Sequence, residues 1–358
     1  MKVIIFAGGV GTRLWPLSRK AFPKQFIKMF NGKSTIELAV ERVKKFGYEN
    51  IYISTAQAYI PLVKKYFPKL SPKNIIGEPE LRNVAPAIGY SLIVLRKRGY
   101  KGPVAVLWAD HLIKDEKNFV PVLKKGETLI ADNPNRLVFV GVKPRFANNN
   151  LGWIQKGEKI DDGVHKFMSW KYRPEVQVCK EMFNSGEWFW NPGYFIMDVD
   201  YVLSLYKKFQ PKMYTGLRQI EKSIGGKNEK KTISRIYPTL EKIHFDTAIA
   251  EKIPPHNAIV IEADLEGWSD PGTLYALKEA LSVEKDANLA RGRVSSFQTK
   301  DSLIINEEKN KLVATVGLEG FVVVNTKDVL LVVPKDKVRE VTELLNQMAS
   351  NKKHTKFL

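Results

Sequence analysis

Over about the first 140 residues, short apolar runs alternate with amphipathic stretches. "KVIIFA", "NIYIST", "VAVLWAD" and "LVFVGV" are brief and rich in β-branched residues, which predicts buried strands. Between them, "STIELAVERVKKFG" repeats apolar residues at helical spacing, with Ser34 as a cap and Glu37 three residues on. "NVAPAIGYSLIVLRKRG" and "NFVPVLKKGETLIADN" also predict helices, each with a proline near its start. Alternating strand and helix implies a doubly wound, mostly parallel α/β sheet. Such sheets bind ligands beyond the carboxyl ends of strands, where the strand order reverses.

The pattern changes twice further on. From about residue 145 to 270 it is less regular. "NNNLGWIQKG" predicts a loop entering a strand, and the aromatic-rich "FNSGEWFWNPGYFIMD" predicts an inserted lid or substrate wall. Helices resume at "DYVLSLYKKF" and "GTLYALKEAL". Beyond residue 288, "LIINEEKNKLVATVGLEGFVVVNTKDVLLVVP" predicts several short strands, with no clean repeat period. A final amphipathic helix, "KDKVREVTELLNQMAS", gives way to a basic tail. The expected division is an α/β domain over residues 1–287 and a small β-rich domain over 288–358.

Composition narrows the classes. The chain has 358 residues, 44% of them hydrophobic and 27% charged, as in an ordinary soluble globular protein of about two domains. No run approaches the roughly 18–20 apolar residues of a spanning helix, so no membrane role is expected. The opening run is too short for a signal sequence. One cysteine, Cys179, precludes an intrachain disulfide, and the cytoplasm is the default location. A net charge of +19 attracts polyanions, yet the basic residues are scattered, which favours a solvated lysine-rich surface over a nucleic-acid interface. Of the five histidines only His111 adjoins a motif, where a packing role is expected.

The chemistry concentrates at the start, in "FAGGVGTRLWPLSRKAFPKQF". Three glycines, Gly8, Gly9 and Gly11, follow the first strand and let backbone N–H groups approach an anion. The spacing is not that of a P-loop. Nor does it complete the dinucleotide fingerprint, because Leu14 stands at the third glycine's place. Arg13 adds a planar fork for phosphate oxygens, and Lys24, behind Pro23, adds a compact charge. Bare amides beside two cations suit a polyphosphate better than a single carboxylate.

About twenty consecutive positions of this segment closely resemble the signature of the sugar nucleotidyltransferases. The tryptophan of "RLWPLSR" and the ending "PKQF" point to their mannose-1-phosphate guanylyltransferase branch. The resemblance implies GTP and a hexose 1-phosphate as partners, a Rossmann-like catalytic domain over 1–287 and a product of GDP-mannose plus pyrophosphate. It implies that Ala7, Gly8, Gly9, Gly11 and Thr12 cradle the triphosphate, with Arg13 and Lys24 as catalytic cations. In "GEPELRNVAPAI", Glu78, Arg82 and Asn83 match residues lining the base and ribose, while Val84 replaces a usual threonine. Asp110 of "VLWADHL" and Asp270 of "GWSDPG" each read on their own as helix caps. Both match aspartates that hold the family's catalytic Mg²⁺, and Pro271 replaces the usual valine.

The sugar side departs most from that pattern. "SGEWFWNPGYF" makes Glu187 and Asn191 candidate hydroxyl partners. The family's Glu-Lys-Pro triplet becomes Tyr172-Arg173-Pro174, so either Arg173 or Lys171 is the candidate phosphate cation. Gly152 and Ile154 are kept, whereas Asn150 replaces a glycine. Asp246 of "IHFDTAIAEK" reads equally as structural or as facing the sugar. The last segment resembles the family's β-rich association element, which implies a homodimer. With no isomerase domain in the sequence, a single-function short form is expected. Three alternatives remain: a relative acting on another hexose 1-phosphate or nucleotide, a non-catalytic sugar-nucleotide sensor, and a nucleic-acid binder.

Overall fold

A computed structural model gives the chain's fold and describes residues 1–358 apart from Val10, Asn31, Val283 and Lys285. Two compact units result. The larger comprises Met1–Gly8, Ala39–Ala109 and Ile113–Trp268, and the smaller Gly9–Leu38, Asp110–Leu112 and Ser269–Leu358.

The larger unit is built on ten strands: β1 (Lys2–Phe6), β2 (Ile51–Ala56), β3 (Ile75–Glu78), β4 (Pro103–Trp108), β5 (Leu137–Val142), β6 (Gly152–Asp161), β7 (Val164–Tyr172), β8 (Trp188–Asn191), β9 (Phe195–Asp198) and β10 (Ala258–Ala263). They form one sheet in the order β8-β6-β7-β10-β5-β9-β4-β1-β2-β3. The early apolar runs become β1, β2, β4 and β5. β1 pairs parallel with β2 and with β4, so the strand order reverses there, as in doubly wound folds. Val3, Ile4 and Ile5 are completely buried on this strand.

The other half of the sheet is mixed, not parallel. β9 pairs antiparallel with both β4 and β5, while β6, β7 and β8 also enter antiparallel pairs. Residues 162 and 163 alone join β6 to β7, and so short a link permits a hairpin but no parallel crossover. The aromatic stretch expected to form a lid or wall supplies β8 and β9. Helix Val84–Lys97 packs against the helices Val199–Phe209 and Pro211–Ser223, and the Tyr206 hydroxyl donates to the Ala85 carbonyl at 2.6 Å.

In the smaller unit, β11 (Leu289–Arg291), β12 (Val294–Phe297), β13 (Leu303–Asn306), β14 (Val313–Val316), β15 (Phe321–Asn325) and β16 (Leu330–Pro334) build two stacks. One runs β11-β13-β15-β16 and the other pairs β12 with β14. Val294 faces Val313 and Leu303 faces Val322, both offset by 19 residues, whereas Leu289 faces Leu303 at an offset of 14. Asn325 Nδ2 donates to Asn306 Oδ1 at 2.8 Å across neighbouring coils. Leu14, Trp15 and Leu17 of the glycine-rich segment share this unit's core with Leu303, Val322 and Val338.

Asp301 ties the smaller unit together. It is 5% exposed and accepts from Lys278 Nζ at 2.5 Å, Lys335 Nζ at 2.6 Å and Tyr275 Oη at 2.7 Å. Burial pushes its acid up, but these three donors outweigh burial and hold it well below the usual carboxylate range. A depressed native pKa adds stability above the unfolded value of about 4 and loses it as pH falls. Asp301→Asn removes the carboxylate charge that the buried Lys278 ammonium touches, at an expected cost of about 3 kcal/mol. Urea titrations should show that loss at neutral pH, and a gap between parent and variant that narrows below about pH 4.

Candidate functional site

The smaller unit gathers the phosphate-binding and metal candidates. Gly11 adopts φ 72° and ψ 37°, in the left-handed region, and its N–H lies one residue beyond the undescribed Val10. A Cβ there would stand 2.5 Å from Lys24 Cγ, so the lysine stem can lie across this residue because it is glycine. Ser18 Oγ donates to the Gly11 carbonyl at 2.6 Å, and Leu14 N–H donates to the same carbonyl at 2.9 Å. Gly9 borders open space, and Thr12 and Arg13 are exposed. The amide of Val10 lies outside the described residues.

Two main-chain bonds set the aspartates side by side. Leu112 and Ser269 exchange N–H···O bonds of 2.9 Å each, an antiparallel bridge flanked by Asp110 and Asp270. Lys24 Nζ reaches Asp110 Oδ2 at 2.6 Å. Burial lowers the Lys24 pKa, but the Asp110 and Asp270 carboxylates outweigh it and the net shift is upward. For Asp110, burial raises the acid, while Lys24 and then His111 bring it down to about 2. Arg13 acts on Lys24 as a like charge, and its Nη1 lies 3.4 Å from where a Cβ on Gly272 would sit. Lys24 therefore stands among Arg13, Asp110 and Asp270.

The larger unit holds the remaining candidates in two clusters. Ala7 closes β1 with both main-chain groups engaged: its N–H donates to Ser54 O at 2.7 Å, and its carbonyl accepts from Thr55 Oγ1 at 2.8 Å. Gly8 follows, and a Cβ on it would lie 3.6 Å from Glu78 Oε1. Glu78 ends β3 and is 3% exposed; Tyr237 Oη donates to its Oε2 at 2.7 Å. Burial raises its acid to about 7, with the Tyr237 and Ser54 hydroxyls pulling the other way. Asn83, at φ 71°, accepts from the Val84 N–H at 3.1 Å and caps helix Val84–Lys97. Arg82 pairs with Glu80, and its buried Nε has no hydrogen-bond partner among the described residues.

The second cluster lies at the junction of β6, β7 and β8. Gly152 pairs with both Tyr172 and Asn191 across the sheet. A Cβ on Gly152 would stand 3.2 Å from Asn191 Nδ2, so a larger residue would displace that amide. Asn191 Nδ2 donates to Asp246 Oδ1 at 3.2 Å, and Asn191 Oδ1 accepts from the Gly193 N–H at 2.7 Å. Burial raises the Asp246 acid to about 6, while Arg173 and Asn191 oppose the shift. Arg173 sits at φ 47°, a conformation costing about 1 kcal/mol or more, held by its N–H donating to Leu151 O at 3.2 Å. Its guanidinium lies 5.1 Å from the Tyr172 ring centroid and also lowers the His244 pKa, after burial.

The structure thus brings Gly152, Asn191, Asp246 and Arg173 together. Lys171, two residues earlier in β7, is exposed, as Arg173 is. Glu187 stands apart: it is exposed, four residues along the chain from Asn191, with its carboxylate 3.5 Å from Gln155 Nε2. Asn150 is exposed. Cys179 is buried, its thiol facing the Asn148 and Pro174 carbonyls. Tyr237 carried no signal in the sequence, since "RIYPTL" has no motif and its partner lies 159 residues away. No helix among the described residues is long and apolar enough to cross a membrane.

A glycine-rich segment leading to a lysine flanked by two aspartates suits a nucleotidyltransferase, and the family comparison shows that class. The chain belongs to the nucleotidyl transferase family, whose model matches residues 2–287. Residues 292–348 match the MannoseP isomerase/GMP-like beta-helix domain. Among its relatives, mannose-1-phosphate guanylyltransferase RfbM of Salmonella typhimurium is 29% identical over 97% of this chain and 72% of its own length. A mannose-1-phosphate guanylyltransferase of Escherichia coli is 28% identical over 96% of this chain and 75% of its own. A solved structure, described as mannose-1-phosphate geranyltransferase from Thermus thermophilus, superposes with a TM-score of 0.84 at 26% identity, covering 97% of this chain and 98% of that one.

Proposed function

We propose that the protein joins GTP and mannose 1-phosphate into GDP-mannose, with release of pyrophosphate. The observation that carries this reading is Lys24, a half-buried cation among Arg13, Asp110 and Asp270 at the end of the glycine-rich segment. The attacking group is a phosphate oxygen already ionised at neutral pH, so no general base is required. What the reaction needs is alignment for in-line attack at the α-phosphorus and relief of repulsion between two polyanions. The amides of Gly9, Gly11 and Thr12 with Arg13 hold the triphosphate, and Lys24 neutralises charge at the reacting phosphate.

Asp110 and Asp270 would hold the family's magnesium ion. Asp110 touches the Lys24 ammonium and the Asp270 carboxylate acts on the same charge, hard oxygen donors that fit an ion taking one or two carboxylates plus water and substrate phosphates. When bound, the ion supplies charge neutralisation for the phosphates.

In the larger unit, Glu78, Arg82 and Asn83 serve the nucleotide, and Gly152, Asn191, Asp246 and Arg173 serve the sugar phosphate. Arg173→Ala is expected to raise the KM for mannose 1-phosphate about tenfold, with the KM for GTP little changed. Lys171→Ala should leave both near the parent values; the reverse pattern would transfer the phosphate-binding role to Lys171. Pyrophosphate release from a matrix of nucleoside triphosphates against sugar 1-phosphates tests the whole reading. Turnover with none of the pairs would reduce the protein to a sensor. A second reading, another hexose 1-phosphate, is favoured by an arginine fork at residue 173 where the family has a lysine point charge.

A further inference from the structure

Glu78 is the least accommodated acid near the nucleotide candidates. It is 3% exposed at the end of β3, in apolar surroundings that disfavour a carboxylate. One of its oxygens is held at 2.7 Å by Tyr237 Oη, from a side chain that is itself completely buried. Tyr90 packs edge-on against the Tyr237 ring, with centroids 5.3 Å apart, and fixes its orientation. The other oxygen of Glu78 lies beside Gly8, 3.6 Å from the space a Cβ there would fill. A hydroxyl this deep, spent on one carboxylate oxygen while the second is left beside the glycine-rich exit, does more than fill the core.

We propose that Tyr237 is a positioning residue for nucleobase recognition: its hydroxyl fixes Glu78 so that the carboxylate accepts from the N–H edge of guanine. This rests on the reading of Glu78 as a nucleotide residue. A carboxylate complements the adjacent imino and amino donors of guanine, whereas adenine presents a ring acceptor at that edge. A site built to accept hydrogen bonds discriminates strongly, because the wrong partner leaves its buried polar atoms unsatisfied.

The arrangement also sets a pH dependence. The groups facing Glu78 are the Tyr237 and Ser54 hydroxyls, with the Tyr90 phenol behind Tyr237; Tyr90 in turn faces Glu229 and Arg98. Burial and then Glu78 itself raise the Tyr237 phenol well above its ordinary value, so it stays a donor. Glu78 titrates at about 7, raised by burial and restrained by Tyr237, and losing that hydroxyl moves it higher. The carboxylate form then requires a higher pH.

The test is equilibrium binding of GTP and ATP to the full chain by calorimetry across the neutral pH range. Tyr237→Phe is expected to weaken GTP about tenfold, leave ATP unchanged, and move the acid limb of GTP binding to higher pH. Glu78→Gln should lose both the preference for GTP and the limb, and it tests the idea even if Tyr237→Phe fails to fold. Parent-like GTP affinity and pH profile in folded Tyr237→Phe would overturn the proposal. So would equal weakening of GTP and ATP, an acid limb surviving in Glu78→Gln, or a parent without preference for GTP. A parent that prefers GTP yet releases no pyrophosphate would defeat the catalytic reading and leave the role of Tyr237 standing.

Discussion

Lys24→Met is expected to lower turnover by about 10²–10³-fold while changing the KM for GTP much less. Methionine keeps an unbranched stem across Gly11 and removes only the charge. Burial lowers the Lys24 pKa, but the Asp110 and Asp270 carboxylates outweigh it and the net shift is upward, so the charge is present at neutral pH. A cation fixed before substrate arrives costs no reorganisation during the reaction, so its loss falls on the transition state. The variant has a second signature. Asp110 loses its partner at 2.6 Å while still partly buried, which should cost about 2 kcal/mol of stability. The figure lies below that for a deeply buried pair because the two side chains are 15% and 29% exposed. Pyrophosphate release and urea unfolding measure the two effects separately. Parent-like turnover in a destabilised variant would make Lys24 purely structural.

Much of the fold was legible in local sequence. "KVIIFA" and "VAVLWAD" are strands because β-branched runs of that length bury on both faces, and they became β1 and β4 at the reversal of strand order. The Ser34–Glu37 signal also has a local cause: Glu37 Oε2 accepts from the Ser34 N–H at 2.8 Å and from its hydroxyl at 2.6 Å. The stacked coils of the smaller unit were legible only as recurring strands. Their offset is 19 residues at Leu303 with Val322 but 14 at Leu289 with Leu303, so the sequence has no single period to show.

What local pattern cannot carry is long-range closure. "GYFIMD" looks the same whether it forms a lid or a strand. It becomes β9, between β4 and β5, because Phe195 finds Val106 and Phe139 as partners across the sheet. The clusters behave likewise. Asp246 read equally as structural or as a site residue until Asn191 Nδ2, 55 residues away, was found donating to it. Lys171 lies within β7 and Arg173 just past its end, in a left-handed turn at φ 47° that residue type does not encode. Tyr237 falls outside every motif, and only its hydrogen bond to Glu78 singles it out.

Asp110→Asn should lower turnover about 10²-fold and raise the magnesium concentration needed for half-maximal rate. Asparagine keeps the shape beside the Leu112–Ser269 bridge and removes a charged oxygen donor, so the two-carboxylate set becomes one. An unchanged magnesium titration would exclude Asp110 as a ligand. The pair with Lys24 complicates any single variant, since each residue removed leaves the other uncompensated. The double variant Lys24→Met/Asp110→Asn resolves this. If the 2.6 Å contact is a stability device, the double variant should recover part of the stability lost by either single change, with a coupling of about 1–2 kcal/mol. On the proposed reading its turnover should nevertheless remain at or below that of the worse single variant, because Lys24 would act on substrate phosphate directly and Asp110 through the metal it would hold. Recovery of turnover along with stability would show that the pair only holds the loop in place, and would move the catalytic charge to Arg13.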